Sequence, residues 1–92
     1  MKRAADDTGI IQTVARNVRG ARKGAGLSQE ELAHEARVDR TYISQVERRQ
    51  RNLTISVLAR IAKALGTTPD RLLIPSTGVE EKVRRKTTKR PL

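Results

Sequence analysis

The sequence predicts an all-α domain made of five short helices. In one segment after another, apolar side chains recur at three- and four-residue steps, which is the spacing of a single helix face. Residue types that cap and end helices stand between these segments, and no segment shows the alternation typical of a half-buried strand. The 92-residue chain suits one domain. We place it at residues 8–74, between a flexible arm over residues 1–7 and a basic tail over residues 75–92.

The first predicted helix begins at Thr8 and carries an apolar stripe that continues to Ala21. Gly20 and Gly24 each weaken it by about 1 kcal/mol relative to alanine, so we expect a loose last turn. Gly26 supplies the left-handed residue with which helices commonly end.

The second and third predicted helices follow each other closely. Ser28 opens the second helix, and Glu31 completes a capping box three residues later. A tight turn beginning at Arg37 leads to Asp39, which we expect to cap the third helix, over residues 40 to about 48.

The fourth and fifth predicted helices complete the domain. Thr54 caps the fourth helix, whose apolar stripe ends at Gly66, and Thr68 with Pro69 begins a short fifth helix. In the basic tail, Thr77 could cap a short sixth helix; the alternative is a disordered polybasic extension.

Charge and composition narrow the class of partner. A net charge of +10 and a pI near 11.3 point to nucleic acid, an anionic membrane or an acidic protein. Tyr42 is the sole aromatic residue, whereas RNA and single-strand modules rely on aromatic stacking and membrane-surface helices on bulky anchors. Double-stranded DNA is therefore the predicted partner.

The same composition argues against catalysis, and against a cofactor or a metal site. The chain has no cysteine, and we interpret its single histidine, His34, as an exposed bystander. No paired carboxylates supply a general acid and base, so we predict that the protein is not an enzyme. No apolar run approaches the length of a membrane span and no signal-peptide core is present, so we expect a cytoplasmic, nucleoid-associated protein without a membrane partner.

Residues 29–48 fit a helix-turn-helix, in which two short helices are joined by a tight turn. Ala33 is small where the two helices cross, and Ile43 and Val46 anchor the second helix inward. The outward face of that helix carries four side chains that can bond to base edges in a major groove: Arg40, Thr41, Ser44 and Gln45.

The stretch "GLSQEELAHEARVDRTYISQVERRQRNLTISVLARIAKALGTTPDRLL" resembles the lambda-repressor-like, XRE-type helix-turn-helix family. Within it, "RTYISQVERRQRN" is most similar to the controller proteins of restriction–modification systems. The resemblance covers about residues 10–74. It implies a compact five-helix domain that binds a palindromic operator as a homodimer.

The resemblance also implies roles for particular residues. Together with the local positive charge, it predicts contacts to the DNA backbone from Gln29, Arg48, Arg49, Arg51 and Asn52. Arg22 and Glu47 match an interior ion pair that ties the first helix to the third. Arg37 stands where the family usually has glycine, and its role is left unassigned.

A dimer interface is predicted from apolar residues that look surplus to so small a core: Val57, Leu73 and Ile74. Tyr42 has two interpretations, packing against the second helix or a hydroxyl contact to phosphate.

The predicted function is a sequence-specific regulator of transcription, repressing or activating a nearby promoter. The alternative is an antitoxin or adaptor whose main role is binding a partner protein. RNA polymerase or another protein is a further candidate partner. Architectural DNA binding fits the charge but would leave the base-reading helix unused.

Overall fold

The computed structural model describes the backbone of residues 2–75 and the side chains of residues 9–75, a part of the chain made of five helices without strands. The helices are α1 (Lys2–Gly24), α2 (Gln29–Ala36), α3 (Arg40–Glu47), α4 (Ile55–Ala64) and α5 (Pro69–Leu72). The predicted all-α class and the five helices are confirmed. The possible sixth helix and nearly all of the basic tail lie outside the described residues.

Helix α1 begins at Lys2, well before the start predicted at Thr8. The stretch assigned to an arm is therefore helical from residue 2 onward, and the predicted start of this helix is wrong. An apolar stripe marks only the packed part of a helix. The helix extends before the stripe because this segment has a high helix propensity. Ala4 and Ala5 are of the best helix-forming type, and no glycine or proline precedes Gly9.

One hydrophobic core joins the four longer helices. Its four largest fully buried side chains come from α1, α2, α3 and α4 in turn: Val18, Leu32, Ile43 and Ile61. Burying each contributes about 1.5–3 kcal/mol relative to leaving it exposed. Leu72 of α5 joins the same core. Because every helix contributes to one core, the orientation of α3 depends on all of them.

The predicted caps are partly confirmed. At the start of α2, the Ser28 hydroxyl accepts from the Glu31 backbone N–H at 3.0 Å, and the Glu31 carboxylate accepts from the Ser28 N–H at 2.8 Å. The Thr54 hydroxyl accepts from the Val57 N–H at 3.1 Å. Asp39 stands at the predicted capping position of α3 with the extended backbone of a capping residue, but its side chain makes no capping bond.

At the start of α5, Thr68 stands at the capping position and Pro69 in the first turn, as predicted. The Thr68 side chain does not accept a backbone bond there. It instead hydrogen-bonds to the exposed Asp70 carboxylate and lowers the pKa of that group.

Each of the four longer helices ends in the same hydrogen-bonded motif, which requires one left-handed residue just beyond the helix. In α3, for example, the N–H of Gln50 donates to the Gln45 carbonyl at 2.8 Å, and the N–H of Arg49 donates to the Val46 carbonyl at 3.0 Å. The left-handed residues after α1, α2, α3 and α4 are Gly26, Arg37, Arg49 and Gly66, with φ of 75°, 59°, 61° and 75°. Of the two arginines, Arg37 precedes α3 and Arg49 follows it.

We expect Arg37→Gly to raise the free energy of unfolding by about 0.5–1 kcal/mol, because glycine adopts a positive φ without a clash at Cβ. Urea denaturation would measure the change as a higher midpoint at an unchanged slope. Arg37→Ala is the matched control, since it removes the same charge but keeps Cβ. Equal midpoints for the two variants would contradict the assignment of strain to Arg37.

A buried amide that the sequence analysis does not single out holds α5 against α1. Asn17 donates from Nδ2 to the backbone carbonyls of Leu72 at 2.9 Å and Ile74 at 2.8 Å. The Leu72 carbonyl is at the end of α5, where so short a helix offers no partner, and the Ile74 carbonyl lies just beyond it. Asn17 thus sets where the exposed side chains that follow α5 lie.

Candidate nucleic-acid interface

Helix α3 has one face in the core and one polar face. Ile43, Val46 and Glu47 are buried. On the opposite side, Arg40 and Thr41 are exposed, and the next turn of the same face carries the half-buried Ser44 and Gln45. The four side chains predicted to read bases therefore share one helix face. The major groove is wide enough to admit an α-helix, so this face can reach the base edges.

The loop after α3 places further positive charge beside this face. Its exposed polar residues are Arg48, Arg49, Gln50, Arg51 and Asn52. Arg48, the residue after α3, continues this polar face, since a step of eight residues from Arg40 turns about 80° around the helix axis and stays on the same side. The left-handed Arg49 then turns the chain away from the helix axis. All four residues that the sequence assigns to the DNA backbone in this region are accessible.

Gln29, the fifth predicted backbone contact, is half-buried at the start of α2. Its Nε2 donates to Glu47 Oε1 at 3.1 Å. This bond ties α2 to α3 and uses one of the two N–H groups of the amide. The other N–H is left for a phosphate contact, which stays a prediction.

The predicted partners Arg22 and Glu47 form a bidentate ion pair in the interior. Arg22 Nε lies 2.6 Å from Glu47 Oε2, and Nη2 lies 3.1 Å from Oε1. The two side chains are only 11% and 2% exposed. Arg22 Nη1 also donates to the Leu27 carbonyl at 2.7 Å. Together with Gln29, the pair joins α1, α2 and α3 at the base of the polar face.

Two further contacts, which the sequence does not indicate, help to position the interface. Arg60 of α4 donates from Nε to the Ala36 carbonyl at 2.9 Å, at the end of α2. Tyr42 is half-buried against the core, and the Arg51 guanidinium lies 4.4 Å from the centroid of its ring. Tyr42 thus packs against the core, while the hydroxyl contact to phosphate stays a prediction. His34 is exposed, and the described residues hold no cluster of metal-binding side chains.

The apolar residues predicted to form a dimer interface divide into two groups. Leu73 and Ile74 are 40% and 49% exposed. Val57 is buried in the core. The expectation that Val57 is surplus is wrong because it lies at the edge of the same α4 stripe that carries Leu58 and Ile61.

Exposed apolar residues that the sequence analysis does not assign extend the surface around Leu73. Ile10 and Ile55 are 43% and 83% exposed. Both line an open cavity of about 210 Å³, and Leu73 lines it too. We call Ile10, Ile55, Leu73 and Ile74 the apolar patch. The patch combines Ile10 within α1, Ile55 at the start of α4, and Leu73 and Ile74 just after α5.

A polar helix face beside a basic loop, held on a tight helix-turn-helix, defines a DNA-binding protein of that class. The model of the helix-turn-helix family matches residues 18–72, and the chain belongs to this family of DNA-binding transcriptional regulators. No helix within residues 2–75 is long and apolar enough to cross a bilayer.

Several controller proteins are similar to the chain. It is 48% identical over 64 residues to control protein C.SmaI of Serratia marcescens, spanning 70% of this chain and 76% of the relative. The crystal structure of the restriction-modification controller protein C.AhdI from Aeromonas hydrophila is 37% identical, with a TM-score of 0.66, covering 67% of this chain and 94% of that one. The hypothetical transcription factor NHTF from Neisseria is 39% identical, with a TM-score of 0.71 and coverage of 82% and 83%.

Proposed function

We propose that this regulator binds a palindromic operator as a homodimer, with α3 of each subunit in the major groove. The observation that carries the proposal is the shared polar face of α3, opposite the three buried residues of the same helix. A single short helix reads few base pairs. Two copies related by a two-fold axis read two half-sites about one helical turn apart.

The contacts divide into two kinds. We propose that Arg40, Thr41, Ser44 and Gln45 read base edges, and that Gln29, Arg48, Arg49, Arg51 and Asn52 contact the DNA backbone. Arginine on α3 suits guanine, which offers two acceptors in the major groove. Arginines in the loop suit phosphates, which position the protein without reading sequence.

Two matched variants test this division of contacts. We expect Arg40→Ala to weaken binding to the operator by about 1–3 kcal/mol and to relax base preference at one base pair of each half-site. Arg49→Ala should weaken binding to operator and to random duplexes alike. It should also make the slope of log K against log salt less steep by about 0.9, the value for one phosphate contact. Titrations at several salt concentrations measure both effects. Identical behaviour of the two variants on both duplexes would contradict the assignment.

The apolar patch supports the homodimer. It leaves four large apolar side chains exposed, and three of them, Ile10, Ile55 and Leu73, line one open cavity. Such a surface is stabilised when it is buried against a symmetry-related copy.

Binding to an operator would hold the regulator at the nucleoid. RNA polymerase is a further candidate partner. Co-purification of the two proteins in a stoichiometric complex would support it.

A further inference from the structure

Arg51 touches two side chains of the recognition helix. Its guanidinium lies over the Tyr42 ring, 4.4 Å from the centroid, and its Nε donates to Gln45 Oε1 at 2.9 Å. Tyr42 and Gln45 are three residues apart and therefore neighbours on one side of α3. We call these three residues the Arg51 cluster. It links the basic loop directly to a residue on the predicted base-reading face.

The chemistry of the contact fixes the orientation of the Gln45 amide. A guanidinium has only donors, so the amide atom facing it must be the oxygen. A flipped amide would place its own N–H groups against the Arg51 N–H. The oxygen of Gln45 is therefore turned toward the loop, and Nε2 lies on the other side of the amide. Within residues 9–75, Nε2 has no hydrogen-bond partner.

This orientation changes which base Gln45 can read. Bidentate recognition of adenine uses the amide oxygen as an acceptor for N6 and the amide nitrogen as a donor to N7. In the Arg51 cluster one of the two lone pairs of the oxygen already accepts a charge-assisted bond, so the adenine amino group would have to use the other beside a cation that repels its N–H groups. Guanine presents two acceptors, O6 and N7, to the free N–H groups. Thymine presents a single acceptor beside its methyl group.

We propose that Arg51 is a positioning residue that makes Gln45 a donor-only reader, so that Gln45 selects guanine over adenine. The proposal rests on the proposed function, in which Gln45 enters the major groove. It adds a role for Arg51 to the backbone contact assigned above. Stacking on the half-buried Tyr42 holds the guanidinium beside Gln45, and its Nη groups are left for a phosphate.

The test is an in vitro selection on duplexes with a randomised core, run on the wild type and on four variants. Gln45→Ala identifies the base pair that Gln45 reads, as the position where preference is lost. Arg51→Ala removes the positioning group. Arg51→Lys keeps the charge but lacks the planar fork. Arg49→Ala is the control, because it removes an equal charge from the same loop.

We expect the wild type to prefer guanine over adenine at the Gln45 position by about tenfold, in the range of a good side-chain–base pairing. Arg51→Ala should reduce that preference to less than about twofold while preferences elsewhere stay unchanged. Arg51→Lys should bind nearly as tightly as the wild type at low salt but show the same loss of preference. Arg49→Ala should weaken every sequence and change no preference.

Two results would overturn the proposal while leaving the proposed function intact. One is a wild-type preference for adenine at the Gln45 position. The other is an Arg51→Ala variant that binds every sequence more weakly but keeps the wild-type base preference, which is the signature of a backbone contact alone. A selection in which Gln45→Ala changes no base preference would instead overturn the reading role of Gln45, and this proposal with it.

Discussion

Replacing Glu47 by alanine is expected to lower the free energy of unfolding by about 3–5 kcal/mol, because it leaves a buried charge without its partner. The Arg22 side chain is only 11% exposed and would lose both of its bonds to the carboxylate. Gln29 would lose its bond to Oε1. The total free energy of unfolding of a natural domain is about 5–15 kcal/mol, so the variant should be close to unfolded. Urea denaturation followed by far-UV circular dichroism, at fixed protein concentration, measures the loss.

Two further variants show whether the buried charge is the cause. Glu35→Ala removes an exposed carboxylate from α2 and should change stability by less than about 0.5 kcal/mol. Arg22→Met combined with Glu47→Leu removes both charges and should recover most of the lost stability, since apolar replacements of buried pairs are often neutral. A Glu47→Ala variant as stable as Glu35→Ala would contradict the proposed role of the pair.

The second large effect is expected at the apolar patch. We expect Ile55→Glu to convert the homodimer to monomer and to weaken operator binding by about 100-fold or more, because the two half-sites would no longer be bound together. Ile55 is 83% exposed and is the first residue of α4. An acidic side chain is favourable in the first turn of a helix, so the monomer should stay folded. Sedimentation equilibrium and operator titration measure the two effects.

A neighbouring residue provides the control. Ser56→Glu introduces the same charge in the same turn at an exposed position outside the apolar patch, and should leave both the dimer and operator binding nearly unchanged. An Ile55→Glu protein that sediments as a dimer would contradict the role of the patch. A wild-type protein that stays monomeric at tens of micromolar, with and without operator, would contradict the homodimer itself.

Local signals in the sequence predict the helices of this fold well. Ser28 with Glu31 and Thr54 form the predicted caps, Gly26 adopts the predicted left-handed conformation, and the fourth helix stops before Gly66, where its apolar stripe was predicted to end. Each of these is a short-range effect, in which the residue type and its immediate neighbours decide the geometry. The outward face of α3 could be predicted for the same reason, because helical periodicity alone separates it from the core.

The features that the sequence does not predict depend on distant partners. Asn17 and Arg60 bond to backbone carbonyls of residues far away along the chain, and carbonyls carry no residue-type signal. Arg49 adopts a positive φ although its residue type does not favour it. Val57 lies in the core because the covered stripe of α4 is wider than the sequence indicates. The Arg51 cluster likewise depends on how the loop folds back on α3.

We propose above that α3 reads a palindromic operator from a homodimer. An in vitro selection of the wild-type protein on duplexes with a long randomised core tests it most directly. We expect enrichment of a palindrome whose half-sites lie about one helical turn apart, centre to centre. Tight binding at low salt without enrichment of any sequence would contradict the claim, since it would show charge attraction to DNA with no base reading.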